Sequence, residues 1–293
     1  MRVFITGGTG LIGSAVVSEL LSHGYHVLAL AGSESSARRL GAAGAEPVRG
    51  GLADHDVLRD AVAEADGVIH LAFSNDFRSA ETLAAGVAEE SAALATIGTA
   101  LIGSDRAMVV CAGTPAVPGR AATERDPLTL DGPTGGRGRA VNDVLALAER
   151  GVRTSAVRLP RTVHADGTGG FAGLLTGIAR TNGRAVYPGD GTQRWPAVHA
   201  ADAASLFRLA LENAPAGSSW HAVADEGDRV RDIVEVIGRR LGLPVASVPP
   251  ETFGPLGQVF LTDQPASSRL TREELGWTPV GPSLLADLEN IEA

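Results

Sequence analysis

The sequence predicts an α/β protein: a doubly wound parallel sheet with a smaller C-terminal domain interwoven with it. Three observations lead there. Short apolar runs alternate with amphipathic stretches through the first half, the beat of strands covered on both faces by helices. A glycine-rich turn, "TGGTGLIG", joins the first apolar run to the first amphipathic one. Beyond Pro160 the beat breaks into turns, aromatics and prolines, as in "HADGTGGF", "YPGDGTQRWPAVH" and "LGLPVASVPPETFGPLG". At 293 residues the chain can bury a full core without disulfide or metal staples.

The apolar runs place strands at Val3–Thr6, His26–Leu30, Glu46–Arg49, Gly67–Ala72, Ala107–Cys111 and Thr154–Leu159. Between them, Gly24 ends the first helix, Asp54 N-caps the third, and Gly151 ends a helix expected over Ala140–Arg150. Later in the chain, Ala200–Asn213 and Val230–Leu241 read as helices, and Trp220–Ala224 reads as a strand returning to the main sheet. No internal repeat or low-complexity tail interrupts this pattern.

Charge narrows the partners. A formal net charge of -9 opposes binding to nucleic acid or to an anionic membrane surface, which leaves a small molecule as the expected partner; the expected assembly, on which the charge does not bear, is a monomer or homodimer. No apolar run reaches the roughly 18 residues of a membrane span, and the apolar start meets glycines too soon for a signal peptide, so the expected location is cytoplasmic. The single cysteine, Cys111, lies in "AMVVCAG" and reads as a buried structural thiol. No metal-ligand spacing occurs. All 25 Lys+Arg positions are arginine, so no lysine ammonium can take part in any chemistry here.

"TGGTGLIG" sets Gly7, Gly10 and Gly13 as G-x-x-G-x-x-G after a strand and at the opening of a helix. That pattern suits a dinucleotide pyrophosphate: the backbone turns sharply, approaches the phosphates, and aims a helix N-terminus at negative charge. Thr6, Leu11 and Ile12 complete the cradle, and Leu52, Ala72, Phe73, Pro160 and Val163 complete the expected cofactor contacts. After the second strand, NAD enzymes usually place an acid for the ribose 2′-hydroxyl, whereas this chain reads "LALAGSESSARRL". Ser33, Ser35, Arg38 and Arg39 suit a 2′-phosphate instead, so NADPH is expected over NADH. On this reading, 1–165 is the NADP-binding domain, joined by a returning strand near 218–225, and 166–293 is mainly a substrate cap.

The chain resembles the extended short-chain dehydrogenase/reductase superfamily, in its epimerase/dehydratase-like branch. The resemblance runs from "TGGTGLIG" through "GVIHLAF", "VVCAGTPAVPG" and "VRLPRTVH" to "PAVHAADAA" and "LGWTP". It implies a Rossmann sheet with substrate held against a small C-terminal domain. It also implies that Thr114 stands at the family's catalytic serine or threonine. The family's next two catalytic positions, a tyrosine and a lysine spaced Y-x-x-x-K, fall in the run "GGRGR", Gly135–Arg139, where neither residue exists. The chain's only tyrosines are Tyr25 and Tyr187.

A ketone reduction needs a hydride and a proton, and losing a general acid costs about 10²- to 10⁴-fold in rate. Thr114 can donate a hydrogen bond to a forming oxyanion but is a poor net acid. His164, where the family's loop meets the nicotinamide end of the cofactor, is the first candidate replacement. His199 reads as holding the turn before the helix that Asp202 helps start, and His70 as a core histidine. A substrate with its own acidic hydroxyl, hydrogen-bonded to the carbonyl, needs no protein acid. The chain is similar in this respect to atypical ketoreductases that tailor aromatic polyketides, angucyclinones included. Asn75, Phe77, Phe171, Tyr187, Arg194 and Trp195, with Phe73, Phe253 or Phe260, are the candidate pocket residues for such a planar substrate. The expected function is therefore an NADPH-dependent ketoreductase of an aromatic secondary metabolite. The alternatives are a dinucleotide-binding sensor without chemistry and an atypical epimerase or dehydratase.

Overall fold

The computed structural model describes residues 1–74, 79–132 and 135–292. Their strands are β1 (Arg2–Thr6), β2 (His26–Ala31), β3 (Glu46–Arg49), β4 (Gly67–His70), β5 (Ala107–Gly113), β6 (Arg153–Leu159), β7 (Thr162–His164), β8 (Ala185–Pro188), β9 (Arg194–His199), β10 (Ser218–His221), β11 (Asp225–Arg229) and β12 (Val245–Val248). The helices are α1 (Leu11–Ser22), α2 (Glu34–Ala42), α3 (His55–Ala63), α4 (Ala80–Leu101), α5 (Gly135–Ala146), α6 (Gly170–Asn182), α7 (Ala200–Asn213), α8 (Val230–Leu241), α9 (Gly257–Leu261), α10 (Arg269–Leu275) and α11 (Leu284–Asp287). They form two compact units. The first comprises 1–112, 127–158 and 204–220, and the second 113–126, 159–203 and 221–293.

The first unit is built on a seven-stranded sheet ordered β10-β6-β5-β4-β1-β2-β3. β1 pairs in parallel with β2 and with β4, β2 with β3, and β4 with β5. Sheets covered on both faces need strands that are apolar on both, and Val3, Phe4, Ile5, Val68, Ile69, Met108, Val109 and Val110 are all fully buried. Leu58 and Val62 of α3, Leu94, Ile97 and Leu101 of α4, and Val141 and Val144 of α5 join one core cluster with Phe4, Val68, Met108 and Val110. Leu206, Phe207 and Leu211 of α7 are buried as well. The strand order reverses at β1, between β2 and β4, which is where α/β sheets of this kind open a crevice for ligands beyond their carboxyl ends.

The second unit has a three-stranded sheet, β11-β9-β7, and a parallel pair, β12-β8. Its core gathers Trp195, Phe260, Val230, Ile233, Ile237, Leu284, Leu288 and Ile291. No helix among the described residues is long and apolar enough to cross a membrane.

Four elements depart from the sequence reading by two residues or more, β5 by running on to Gly113 rather than ending at Cys111. β4 stops at His70 rather than Ala72: the Leu71 N–H still reaches the Thr6 carbonyl of β1 at 3.2 Å, but the Ala72 N–H turns to the Thr6 hydroxyl at 3.3 Å. The last main-sheet strand is Ser218–His221 rather than Trp220–Ala224, since Ala224 donates instead to the Ala197 carbonyl of β9 at 2.9 Å. α5 begins at Gly135, not Ala140, so the whole "GGRGR" run is helical. The boundary at 165 also shifts: most of α7 belongs to the first unit, and 113–126 to the second.

Candidate functional site

In the first unit the turn between β1 and α1 has no room for side chains. Gly7 has φ +76, and a Cβ there would lie 2.7 Å from the Ala72 nitrogen. A Cβ on Gly13 would overlap the Gly7 carbonyl. This places helix, turn and the segment after β4 in direct backbone contact. Gly10 caps α1 in an extended conformation with no side-chain hydrogen bond, so the first N–H groups of the helix are not taken by a cap. Leu11 stands 39% exposed at that end, while Thr6 is buried and spends its hydroxyl on His70 Nδ1 at 2.9 Å. Thr6 thus fastens β1 to β4 and presents no side-chain atom to a ligand.

Around the end of β2, Ser33 N-caps α2 by accepting from Ser36 N at 3.1 Å. Arg39 donates to the Thr9 carbonyl in the glycine-rich turn at 2.9 Å. Glu34 is neutralised by Arg49 at 2.9 Å, and Arg38 is exposed with no partner among the described residues. Leu52 is partly buried against the core, and Phe73 follows β4. Asn75 and Phe77 lie outside the described residues.

Sequence reasoning missed a charged cluster at the carboxyl ends of β4 and β5. Glu90, on the otherwise apolar buried face of α4, receives Arg137 Nε at 2.7 Å and Nη2 at 2.8 Å. The guanidinium lies over the Phe73 ring, 3.9 Å from its centroid. Burial pulls the Arg137 pKa down, but its bonds to Glu90 and the neighbouring Cys111 outweigh this and hold it above the ordinary arginine value. Burial also pushes the Cys111 thiol up to about 11, so it stays protonated. Burial, reinforced by the Arg137 charge, pushes His70 down to about 4, so that ring is neutral. The signal for this cluster is Glu90 itself: an acid on a buried face demands a cation, and "GGRGR" holds two.

The glycines of that run have a steric reason. A Cβ on Gly135 would overlap the Leu130 carbonyl, and one on Gly138 the Thr129 carbonyl. A Cβ on Gly136 would come within 2.5 Å of Val87 Cγ1. The first turn of α5 therefore presses backbone to backbone on its preceding loop, and no larger residue fits at Gly135 unless that loop moves.

In the second unit, Thr114 follows β5 and is nearly buried. Its N–H donates to the Leu159 carbonyl at 2.9 Å, and Gln264 Nε2 donates to its carbonyl and, at 3.4 Å, to its hydroxyl oxygen. Because Gln264 supplies a hydrogen to the Thr114 hydroxyl oxygen, the hydroxyl's own proton remains available to an acceptor. Gln264 is oriented in turn by Arg161, whose Nε donates to Gln264 Oε1 at 2.6 Å. Neither Gln264 nor Arg161 stands out in the sequence, because their pairing joins residues far apart in the chain.

The remaining candidates in this unit are less accessible than the sequence suggests. His164 is fully buried, its Nδ1 2.9 Å from Asp287 Oδ2, an oxygen that also accepts from Gly167 N at 3.1 Å. Burial lowers its pKa despite Asp287, leaving a neutral, sealed imidazole that is badly placed to give a proton. His199 accepts from Ala201 N at 3.3 Å, holding the turn into α7. Trp195 is entirely buried, edge-on to Phe171 and donating from Nε1 to the Thr262 carbonyl. It therefore supports Phe171 from behind and offers no surface to a ligand. Arg194 is committed to Asp263, through Nε at 3.1 Å and Nη2 at 2.9 Å. Phe171 and Tyr187 remain partly exposed, while Pro160 and Val163 are buried. Among the described residues no group of three or more histidine, cysteine or acidic side chains could hold a metal ion.

Residues 3–223 match the NAD dependent epimerase/dehydratase family. Along 98% of both chains, the protein is 41% identical to an uncharacterized protein of Schizosaccharomyces pombe. A shorter stretch, 28% of this chain and 24% of the relative, is 36% identical to 4-hydroxy-2-methyl-3-oxo-4-farnesyl-3,4-dihydroquinoline-1-oxide ketoreductase from Stigmatella aurantiaca. Among solved structures, the fold is similar to that of the dTDP-glucose 4,6-dehydratase DesIV from Streptomyces venezuelae with NAD and TYD bound. That likeness has a TM-score of 0.80 at 20% identity and covers 99% of this chain and 95% of the other.

Proposed function

Since this chain belongs to the NAD dependent epimerase/dehydratase family, we propose that it is an NADPH-dependent ketoreductase of a hydroxylated aromatic ketone, in which the substrate supplies its own proton. The observation that carries the reading is the first turn of α5. There the family's tyrosine and lysine would stand, and the chain has glycines pressed against the Thr129–Leu130 backbone and no lysine at any position. The cradle glycines and the Thr114 hydroxyl are nevertheless kept. A chain that carries a dinucleotide turn and a candidate oxyanion donor while lacking a protein acid suits a substrate whose phenolic hydroxyl is hydrogen-bonded to the carbonyl.

Gly7, Gly10 and Gly13 leave the backbone space that a pyrophosphate requires, and the uncapped start of α1 favours its charge. When bound, the reduced dinucleotide supplies the hydride. Arg38 and Arg39, with the Ser33 hydroxyl, form the basic edge expected to prefer a 2′-phosphate, and Glu34 at the start of α2 is paired with Arg49. Thr114 donates its hydroxyl hydrogen to the developing oxyanion, a contact worth about 2.7–4 kcal/mol in comparable sites. The Stigmatella aurantiaca relative, named as the ketoreductase of a dihydroquinoline oxide, supports carbonyl reduction on a ring-bearing substrate.

The test is a panel of ortho-hydroxyaryl ketones and their methyl ethers, incubated with the protein and NADPH while cofactor absorbance is followed. Turnover of the phenols with loss of at least about tenfold in the ethers is expected. Equal turnover of the ethers rejects substrate-supplied protonation. NADPH binding without oxidation across the panel instead favours a cofactor-binding sensor.

A further inference from the structure

Arg161 is a cation with no anionic partner among the described residues. It follows β6 in the second unit, half-buried, and burial brings its pKa down to about 10. Its Nε donates to Gln264 Oε1 at 2.6 Å and its Nη1 to the Val259 carbonyl at 3.0 Å, both neutral acceptors. One side of the guanidinium faces Phe171, 5.0 Å from the ring centroid, and the Trp195 ring lies 5.8 Å away. Among the described residues Nη2 meets no acceptor. Surface arginines of the same unit are treated differently: Arg194 is matched to Asp263 and Arg269 to Glu273. A buried charge left unmatched costs stability, and a chain that retains it near Thr114 has a reason to bring an anion there.

We propose that Arg161 is the substrate's anion-recognition residue: its Nη2 edge binds the acidic hydroxyl oxygen of an ortho-hydroxyaryl ketone, makes that hydroxyl a stronger acid, and holds the conjugate base once the proton has left. The connection to the reacting carbonyl runs through Gln264, which Arg161 orients and which in turn fixes Thr114. As hydride reaches the carbonyl carbon, the C=O π pair moves to oxygen. The substrate's phenolic O–H bond breaks, its proton forms the new alcohol O–H, and the phenolate left behind is paired with the Arg161 guanidinium until water reprotonates it. Charge is conserved at each point, and the nicotinamide hydride donor and the water that reprotonates the phenolate are the only co-reactants. Arginine suits the task because it stays protonated throughout and, desolvated on its aromatic side, attracts an anion more strongly than it would in water. This assignment rests on the ketoreductase reading for the identity of the carbonyl, but not for the binding of the phenol.

The experiment uses the full-length protein without cofactor and 2-hydroxy-1-acetonaphthone as the probe, whose ionisation is followed by absorbance against pH. Bound to the wild-type chain, the phenol should ionise about one pKa unit or more below its value in solution, a tenfold gain in ionised fraction at a given pH. Arg161→Gln should remove the shift, and Arg161→Lys, which restores a cation, should recover part of it; a structural role alone would not move this readout. An unshifted or raised phenol pKa in the wild type overturns the proposal, as does failure of the probe to bind at its solubility limit or an undiminished shift in folded Arg161→Gln. The wild-type comparison stands even if that variant does not fold. A lowered phenol pKa without NADPH oxidation would keep Arg161 in this role while rejecting the reductase reading.

Discussion

A histidine sealed at the end of β4 couples stability to pH. Burial and Arg137 together hold the folded His70 pKa at about 4, against 6.5 for the free side chain. Between those values the unfolded chain binds a proton that the folded chain refuses, so unfolding becomes easier as pH falls. The contribution is fully present above pH 6.5 and is lost on the way down to about 4. Between about pH 7 and about pH 5 it amounts to about 2 kcal/mol. Urea unfolding of wild type and His70→Gln at those two pH values checks this: the variant should lose less stability on acidification, and an identical loss would show that other groups govern the acid limb. The sequence marks His70 as a core residue, but the Arg137 charge that adds to the effect of its burial comes from α5, which no local pattern ties to β4. Arg161 and Gln264 are hidden for the same reason: they meet across 103 positions.

At the scale of elements, α5 reverses an ordinary rule. Replacing glycine by alanine inside a helix usually stabilises by about 0.5–1 kcal/mol, through reduced freedom of the unfolded chain. A Cβ on Gly177 in α6 would have nothing within 4 Å, so Gly177→Ala should follow the rule. Gly135→Ala should instead destabilise by about 1–3 kcal/mol, because its Cβ meets the rigid Leu130 carbonyl. Chemical denaturation of both variants separates the cases, and a stabilised Gly135→Ala would mean that the loop yields freely. Helices also differ in how legible they are. α7 and α8 have the bounds read from the sequence, because long apolar periodicity and clear end signals agree there. The sequence pattern starts α5 five residues late because three glycines ordinarily signal a loop. Their cause is tertiary: the 129–130 backbone presses on Gly135 and Gly138, and the Val87 side chain on Gly136.

For the whole molecule, the path of the chain matters more than the position of any single boundary. The first unit draws on three separate stretches, the last of them 204–220, so residues 1–165 are not a complete folding unit. α7 packs Leu211 against Gly67 of β4, and its Arg208 pairs with Glu19 of α1 at 2.7 Å. A fragment of residues 1–165 should therefore bare the surface that Leu206, Phe207 and Leu211 cover, bind a hydrophobic dye, and lack a cooperative thermal transition. A sharp transition in that fragment would show that the first 165 residues suffice. The alternating strands and helices of the first half announce the sheet well; they cannot announce a helix contributed after an excursion through the other unit.

The same threading bears on how the protein is made. β6 is complete long before β10, its neighbour on the outer side of the sheet, leaves the ribosome. Until Ser218–His221 emerges, the apolar segment Thr154–Leu159 presents an open edge of N–H and C=O groups to any strand that passes. The nascent chain is most exposed to mispairing in that interval, and it is there that a chaperone holding the edge would raise the yield of folded protein.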